Sequence, residues 1–522
     1  MSIRRFVRPA LLALLVLVVG VVAFVGWPSA EWQPYQYGRA GRTKLPRMTM
    51  LNHQRVMGEV LGTPPLPVRS IGILVYDGVS TIEAVGAMVA LSELMNVTVH
   101  YVATEAAAVE TDLARLVAHK ATREVDALDA LVVPGGPPEA VAAVLADAGL
   151  MRWIAATDRT TTLTAGIGSG SVLLARAGVL GGRTIAFDWP AAEANTAALG
   201  ARYREARYTH DGKYWTSVGG TAALDLGLAL VEAIGGRANL QGAMLDLEYD
   251  PKAPFDGGSA ATTPPAIVAA LAAESTALEG LTLRAASTRA SASAAKGAAP
   301  SPPLRVGILV YDGFFTLDAL GPLAVLSNLR NADVQLLRAG AADTVQSGRT
   351  QLLVPRVATS VDALDVLVVP GGSTGTWAIT EDSAVLAWIR RIDERSRYTT
   401  SVCTGAWVLG AAGLLRGRDA TTNWYRAGQM LERYGARFTP GRYVRDGKYW
   451  TSAGVSAGID LSLALLADVD GEDAARAAML RLRYRPEPPA SGGTPEKTDD
   501  RVLDMMQQMY DFLMVPLIRR TE

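Results

Sequence analysis

Short apolar runs that end in turn residues alternate with segments of helical periodicity along most of this chain. RVGILVY from Arg305 and DVLVVPGG from Asp365 are continuous apolar runs, which are typical of strands buried on both faces of a parallel sheet. Apolar positions then recur at helical spacing in residues 317–329, 383–394 and 455–469. This alternation predicts an α/β fold with a doubly wound, flavodoxin-like sheet in three layers. In such folds the site lies beyond the carboxyl ends of the strands.

The same order of runs occurs twice. IGILVYDG begins at Ile71 and VGILVYDG begins at Val306, which is 235 residues later, and DGKYWTS recurs at the same distance. The repeat predicts two homologous domains in tandem, over 69–258 and 303–494.

Two further segments follow from composition and periodicity. Residues 259–302 are predicted to be a linker, because their second half is rich in Ala, Ser and Pro and has few residues to bury. Residues 499–520 are predicted to form an amphipathic helix, and packing on a domain is favoured over a membrane or partner role. Its apolar positions at helical spacing are Val502, Met505, Met506, Met509 and Phe512.

The N-terminal region has an uncharged apolar run over 9–28, preceded by three arginines. A helix of this length, at about 1.5 Å per residue, crosses a hydrocarbon core of roughly 30 Å. A membrane anchor is favoured over a cleaved signal peptide, because the run is long and Trp27-Pro28-Ser29-Ala30 is a poor cleavage site. The arginines predict a cytoplasmic N-terminus, with the domains outside the cytoplasm, as in a bacterial periplasm.

The net charge and the positions of the histidines limit which partners and which kinds of site the sequence allows. A formal net charge of -1 gives no basic surface for nucleic acid, so no nucleic-acid partner is expected. All four histidines precede the second domain, which excludes a Cys–His pair within it and leaves no His/Cys cluster typical of a transition-metal site. We therefore expect no metal and no cofactor. The expected ligand is a small molecule.

The single cysteine, Cys403, follows the β-branched run Thr399-Thr400-Ser401-Val402 and precedes a helical pattern that starts at Gly405. An isolated apolar cysteine is usually inert core. A strand–turn–helix position has the layout of a nucleophile elbow, and the helix N-terminus favours the thiolate.

Two more segments should end near this cysteine. Gly371 and Gly372 close a strand, and their N–H groups could stabilise an oxyanion, although a simple tight turn explains two glycines equally well. Asp318 follows the first strand of the domain and is a candidate acid/base, with helix capping as the alternative.

These motifs together resemble the PfpI-type, class I glutamine amidotransferase-like superfamily. YDGFFTLDALGP, VVPGG and CTGAWVLGAAGLLRGRDATTNW carry the resemblance, and the second copy is most similar to the isonitrile hydratase branch, whose members add water to an isonitrile to give a formamide. The resemblance implies Cys403 as nucleophile, Asp318 as its acid/base partner and Thr404 as a polar neighbour. Asn423 departs from the pattern, because that branch often has His there.

The first copy lacks the cysteine. In register, Gly168 stands opposite Cys403 and Ser169 opposite Thr404, while the acidic position is kept as Glu83. The two glycines of the strand end remain as Gly135 and Gly136. We expect a scaffold or ligand-binding domain, with Ser169 as a poor substitute nucleophile because no base is evident nearby. Relatives of the superfamily commonly dimerise, so the two copies are expected to pair within the chain.

Three functions remain open on the sequence. The first is a membrane-anchored, cysteine-dependent hydratase or hydrolase. The second is a non-catalytic ligand sensor, and the third is a redox-sensing cysteine protein or stress chaperone. The reactivity of the thiol separates the second from the other two.

Overall fold

A computed structural model of the chain describes residues 43, 45–187, 190, 192–273 and 302–519. The predicted anchor at 9–28 and residues 274–301 of the predicted linker lie outside the described residues. Within the described part, no single helix is long and apolar enough to cross a membrane. One pair, Pro138–Ala146 and Ala148–Asp158, reaches that length and composition together but is bent by 85°. Both copies of the repeat lie in one compact unit, Leu45–Glu522.

The first copy contains a seven-stranded sheet in the order β10-β11-β7-β6-β1-β2-β5. Its neighbouring strands are parallel except for the β10–β11 hairpin. The first copy has four further strands, β3, β4, β8 and β9, in smaller sheets. In chain order its strands are β1 (Ser70–Leu74), β2 (Thr98–Ala103), β3 (Ala108–Glu110), β4 (Arg115–Val117), β5 (Lys120–Ala121), β6 (Ala130–Val133), β7 (Leu163–Ile167), β8 (Thr184–Ile185), β9 (Arg202–Tyr203), β10 (Tyr208–Asp211) and β11 (Tyr214–Ser217).

The second copy repeats this arrangement in a six-stranded sheet, β13-β12-β16-β17-β21-β20, with β20–β21 as the antiparallel hairpin. Its strands are β12 (Leu304–Val310), β13 (Ala332–Arg338), β14 (Thr344–Ser347), β15 (Thr350–Leu353), β16 (Val366–Val369), β17 (Tyr398–Val402), β18 (Asp419–Ala420), β19 (Arg437–Phe438), β20 (Tyr443–Asp446) and β21 (Tyr449–Ser452). The α/β, flavodoxin-like fold in two tandem copies is thus confirmed.

Helices follow the strands in both copies. In the first they are α1 (His53–Leu61), α2 (Thr81–Ser92), α3 (Pro138–Ala146), α4 (Ala148–Asp158), α5 (Gly170–Arg176), α6 (Ala192–Ala198), α7 (Ala222–Gly235) and α8 (Arg237–Asp246). In the second they are α9 (Thr316–Leu326), α10 (Thr374–Glu381), α11 (Ser383–Asp393), α12 (Gly405–Ala411), α13 (Ala427–Arg433), α14 (Ala457–Asp470) and α15 (Glu472–Arg481), and α16 (Asp500–Arg519) ends the described chain.

The central strands of the second copy are buried along their whole length. Every residue of β16 and β17 is buried, as expected for a sheet covered on both faces. The two threonines of β17 are compatible with this burial because their hydroxyls find partners: Thr399 Oγ1 donates to Asp393 Oδ1 at 2.6 Å and Thr400 Oγ1 donates to the carbonyl oxygen of Leu367 at 3.0 Å. The core therefore fixes where β17 ends.

Contacts between the copies are nearly symmetric. Helices α2 and α9 pack against each other, and β4 pairs with β15 in a sheet shared by both copies. Arg207 Nη1 donates to the carbonyl oxygen of Arg483 at 2.6 Å, and Arg442 Nη1 donates to that of Glu248 at 2.9 Å. Such reciprocal contacts are typical of two-fold interfaces. Pairing of the copies in solution stays a prediction, which these contacts support.

The C-terminal helix α16 packs on α1 and α8 of the first copy and also contacts α10 of the second. Of its positions predicted to be apolar and buried, Val502, Met505 and Met506 are buried, Met509 is half-buried, and Phe512 is 36% exposed. Tyr510 is buried and places its hydroxyl 2.5 Å from Asp246 Oδ1. The buried residues of α16 are Val502, Leu503, Met505, Met506, Gln507, Tyr510, Met514 and Ile518.

Candidate active site

Cys403 lies at a sharp turn directly after β17, and α12 begins two residues later. Its backbone is left-handed, with φ of 56°, which is a costly conformation for a residue other than glycine. The amide N–H of Cys403 donates to the carbonyl oxygens of Ser452 and Ala453, both at 3.1 Å, and this holds the turn against the end of β21. The side chain is 3% exposed. The strand, the strained residue and the helix together form the geometry of a nucleophile elbow.

Asp318, in the first turn of α9, faces this thiol. The carboxyl group is fully buried, and Oδ2 accepts a hydrogen bond from the N–H of Gly371 at 3.0 Å. Burial raises the pKa of Asp318 and the neighbouring Cys403 thiol only partly opposes that rise, yet Asp318 Oδ1 has no partner of ordinary hydrogen-bond geometry among the described residues. The oxygen without a partner is therefore available to exchange a proton with the sulfur or with a bound molecule.

Thr404 fixes the strand end opposite the elbow. Its Oγ1 donates to the carbonyl oxygen of Gly372 at 2.6 Å and accepts from the N–H of the same residue at 3.0 Å. A Cβ added at Gly371 would lie 2.5 Å from the amide nitrogen of Thr404 and 2.9 Å from Cys403 Cβ, so only glycine fits there. Thr404 thus acts on the shape of the site.

These contacts correct the expectation that Gly371 and Gly372 supply free oxyanion donors. The Gly371 N–H is bonded to Asp318 and the Gly372 N–H to Thr404. The strand end therefore positions the acid and the threonine, and neither amide is available to an oxyanion in this arrangement.

The expectation of a thiolate also needs correction. Burial, and after it the carboxyl groups of Asp318 and Glu248, raises the pKa of Cys403 well above its ordinary value. The hydrogen bond from the N–H of Thr404, at the start of the helix, lowers this pKa by less. Burial likewise raises the pKa of Asp318. Removal of both groups from water outweighs the helix terminus, so burial favours the protonated form of both the thiol and the acid.

Glu248, from the first copy, is a residue of this site that the sequence patterns did not predict. Its Oε1 accepts hydrogen bonds from Asn423 Nδ2 at 2.7 Å and from the N–H of Trp424 at 2.9 Å. Burial raises the pKa of Glu248 to about 7. Asn423, the position that departs from the family pattern, is therefore the partner of a carboxylate from the other copy.

The first copy presents the same framework without the thiol. Ser169 Oγ donates to the carbonyl oxygen of Gly136 at 2.9 Å and accepts from its N–H at 3.0 Å, as Thr404 does with Gly372. Glu83 accepts from the N–H of Gly135 at 2.7 Å and from that of Gly220 at 2.7 Å. A Cβ at Gly168 would lie 2.8 Å from Glu83 Oε1. The longer acid thus fills the space that a cysteine side chain would need.

The sequence comparison decides the family. The model of the DJ-1/PfpI family matches residues 69–233 and again residues 304–468. The chain belongs to the DJ-1/PfpI family.

Individual DJ-1/PfpI relatives include enzymes and regulators. The chain is 39% identical over 201 residues to isonitrile hydratase of Pseudomonas putida, which covers 38% of this chain and 87% of that protein. It is 36% identical over 113 residues to the HTH-type transcriptional regulator GlxA of Rhizobium meliloti, covering 21% of this chain and 34% of the regulator. A crystal structure of a ThiJ/PfpI family protein from Pseudomonas syringae aligns with 30% identity and a TM-score of 0.40, over 44% of this chain and 96% of that one.

Proposed function

We propose that the second copy is a cysteine-dependent hydratase that acts on isonitriles, with Cys403 as nucleophile and Asp318 as acid/base. The observation that carries the proposal is the juxtaposition of a strained, buried cysteine with a buried acid that has one oxygen without a partner among the described residues. The similarity to the isonitrile hydratase of Pseudomonas putida supports the choice of substrate.

The protonated forms that burial favours suit this chemistry. The terminal carbon of an isonitrile accepts both a proton and a nucleophile at the same atom. Asp318 delivers a proton to that carbon, the sulfur of Cys403 bonds to it, and the thiol proton replaces the one that Asp318 gave up. The product is a thioimidate, R–N=CH–S–Cys403. Water then adds to the same carbon, the C–S bond breaks, and the formamide leaves as the thiol regains its proton.

Conversion of a simple alkyl isonitrile to its formamide by the purified chain, followed by NMR, tests this function. Cys403→Ala should abolish turnover and should also prevent a covalent adduct, which mass spectrometry detects on the parent protein as an added substrate mass. Formamide production by the alanine variant at the parent's rate would overturn the mechanism.

A binding protein is the second candidate, because the raised pKa of Cys403 is also what an unreactive core thiol shows. Alkylation with iodoacetamide in the native protein separates the two. Failure of Cys403 to react over the pH range 6 to 9, together with absent turnover, would favour the binding protein. Attachment to a membrane through 9–28, with both domains outside the cytoplasm, remains part of the proposal.

A further inference from the structure

Charge is exchanged between the two copies at three pairs of equivalent positions in one short segment. The first copy reads LDLEYD over 245–250, and the second reads LRLRYR over 480–485. Each acidic residue of the first segment is replaced by arginine in the second. The first segment begins at the end of α8 and the second at the end of α15. Both have a left-handed residue at the same point: Glu248 with φ of 42° and Arg483 with φ of 53°.

Each segment crosses to the site of the other copy. The carbonyl oxygen of Arg483 accepts from Arg207 Nη1 at 2.6 Å and from Thr221 Oγ1 at 2.9 Å, both in the first copy. The carbonyl oxygen of Glu248 accepts from Arg442 Nη1 at 2.9 Å and from Ser456 Oγ at 2.8 Å in the second. The backbone contacts are thus equivalent on both sides. Only the side chains differ, and therefore the charge delivered to each site differs.

At the Cys403 site the delivered group is a carboxylate held by three donors of the second copy. Asn423 Nδ2 and the N–H of Trp424 bond Oε1, and the N–H of Gly454 bonds the same carboxyl group. A Cβ at Gly454 would lie 2.3 Å from Glu248 Oε1, so the strand end has room for this carboxylate only because residue 454 is glycine. Residue 453 directly before it accepts the hydrogen bond of the Cys403 amide.

We propose that Glu248 is a positioning residue of the Cys403 site: the first copy supplies it, and it holds residues 423–424 and 454 around the elbow of the second. The site is then complete only when both copies are present. A role of Glu248 in catalysis rests on the proposed function. The effect of Glu248 on the acidity of the Cys403 thiol does not depend on that function.

The expected effect on the thiol follows from charge. An ionised carboxylate beside Cys403 opposes the thiolate, so its neutralisation should make the thiol more acidic. Other groups also face this pair. Asp318 and Asp246 act on the thiol, Tyr311 and Tyr510 lie near it, and Arg442 is the cation that acts on Glu248. All of these side chains remain when Glu248 is replaced by glutamine, but the replacement also removes the contribution by which Glu248 raises the pKa of Asp318.

The test measures alkylation of Cys403, the only cysteine in the chain, against pH. At pH 8 the rate with iodoacetamide should rise by roughly 3- to 10-fold in Glu248→Gln, as expected when a neighbouring charge shifts a pKa by about half a unit to one unit. The matched control is Arg483→Gln, which changes the equivalent residue at the other site and should leave the profile as in the parent. Equal profiles in all three proteins, or the same change in both variants, would overturn the proposal.

The parent protein gives a second reading that does not depend on a variant folding. Its rate should rise with pH, flatten near pH 7 where Glu248 ionises, and rise again at higher pH. A profile without this step counts against Glu248 as strongly as an unchanged variant does.

Turnover distinguishes this inference from the proposed function. If the parent forms formamide, Glu248→Gln should shift the pH dependence of kcat, whereas a residue needed only for folding would lower activity equally at every pH. If no isonitrile is converted by the parent while the alkylation shift is present, the proposed function fails and the placement of Glu248 stands.

Discussion

The two copies have the same strand–turn–helix backbone at the site and differ in the side chains that it carries. In the second, a short acid, Asp318, leaves room for the Cys403 side chain. In the first, the longer Glu83 reaches the amides of Gly135 and Gly220 and occupies the space above Gly168. In the first copy the absence of the nucleophile thus coincides with a longer acid, and Glu83 fills the space beside Gly168.

The largest expected effect is the loss of turnover in Cys403→Ala. Removal of a covalent nucleophile should lower kcat by roughly a thousandfold or more. Ser169→Ala removes the only hydroxyl considered as a substitute nucleophile in the first copy, and it should keep the parent's activity because the Ser169 hydroxyl bonds the Gly136 peptide of that copy. Steady-state formamide production measures both. Comparable losses in the two variants would mean that both copies take part in the chemistry.

Asp318→Asn should be the next most severe change. It keeps the size of the side chain but removes the exchangeable proton, so kcat should fall by about 10²- to 10⁴-fold. Circular dichroism should show an intact fold. The counterpart Glu83→Gln should leave kcat within about twofold of the parent. An asparagine variant as active as the parent would exclude Asp318 as the acid.

The free energy of unfolding should depend on pH through Glu248 but not through Arg483, the residue at the equivalent position. The pKa of Glu248 in the folded chain, about 7, lies above its unfolded value, so its contribution is fully present below about pH 4.5 and is lost as the pH rises through 7. Over this window Glu248 should lower the free energy of unfolding by roughly 3 kcal/mol. Urea unfolding of Glu248→Gln between pH 5 and 8 should show a flatter dependence. Arg483→Gln should retain the parent's slope, and an equal flattening would contradict the assignment.

The smallest expected effect is that of introducing a cysteine into the first copy. Gly168→Cys should not create a second active site, because its Cβ would lie 2.8 Å from Glu83 Oε1. It should destabilise the chain by about 1–3 kcal/mol, as overpacking does. Adding Glu83→Asp should recover part of this loss and allow iodoacetamide to label two cysteines. Full stability of the single variant would show that Glu83 is not fixed in place.

Local patterns predicted the parts of the site that one copy builds alone. The run before Cys403 and the glycine pair at 371–372 mark strand ends, and parallel strands bring such ends together. The expected thiolate disagrees with the raised pKa of Cys403. The position of the cysteine at a helix start is visible in a sequence, whereas its burial depends on tertiary packing.

Glu248 was not predicted for a related reason: it lies 155 residues before Cys403 and enters the site only when the copies pack. The signal was nevertheless present in the printed sequence, as the replacement of LDLEYD by LRLRYR at equivalent positions. Phe512 fits the helical spacing of its neighbours equally well, yet it is exposed, because the residues of α16 that are buried beyond it are Met514 and Ile518 on another side of the helix.

The charge exchange has a genetic consequence. In a homodimer, one codon specifies the residue at both copies of an interface, so any side chain suited to one pocket is imposed on the other. Joining the copies in a single reading frame removes that constraint, since codons 248 and 483 can mutate separately. Glutamate at one and arginine at the other is an arrangement that a homodimer of a single gene product cannot have, whereas this fused chain encodes it. Separate expression of the halves would therefore allow homodimers with two glutamates or two arginines, neither of which reproduces the pairing described for this chain.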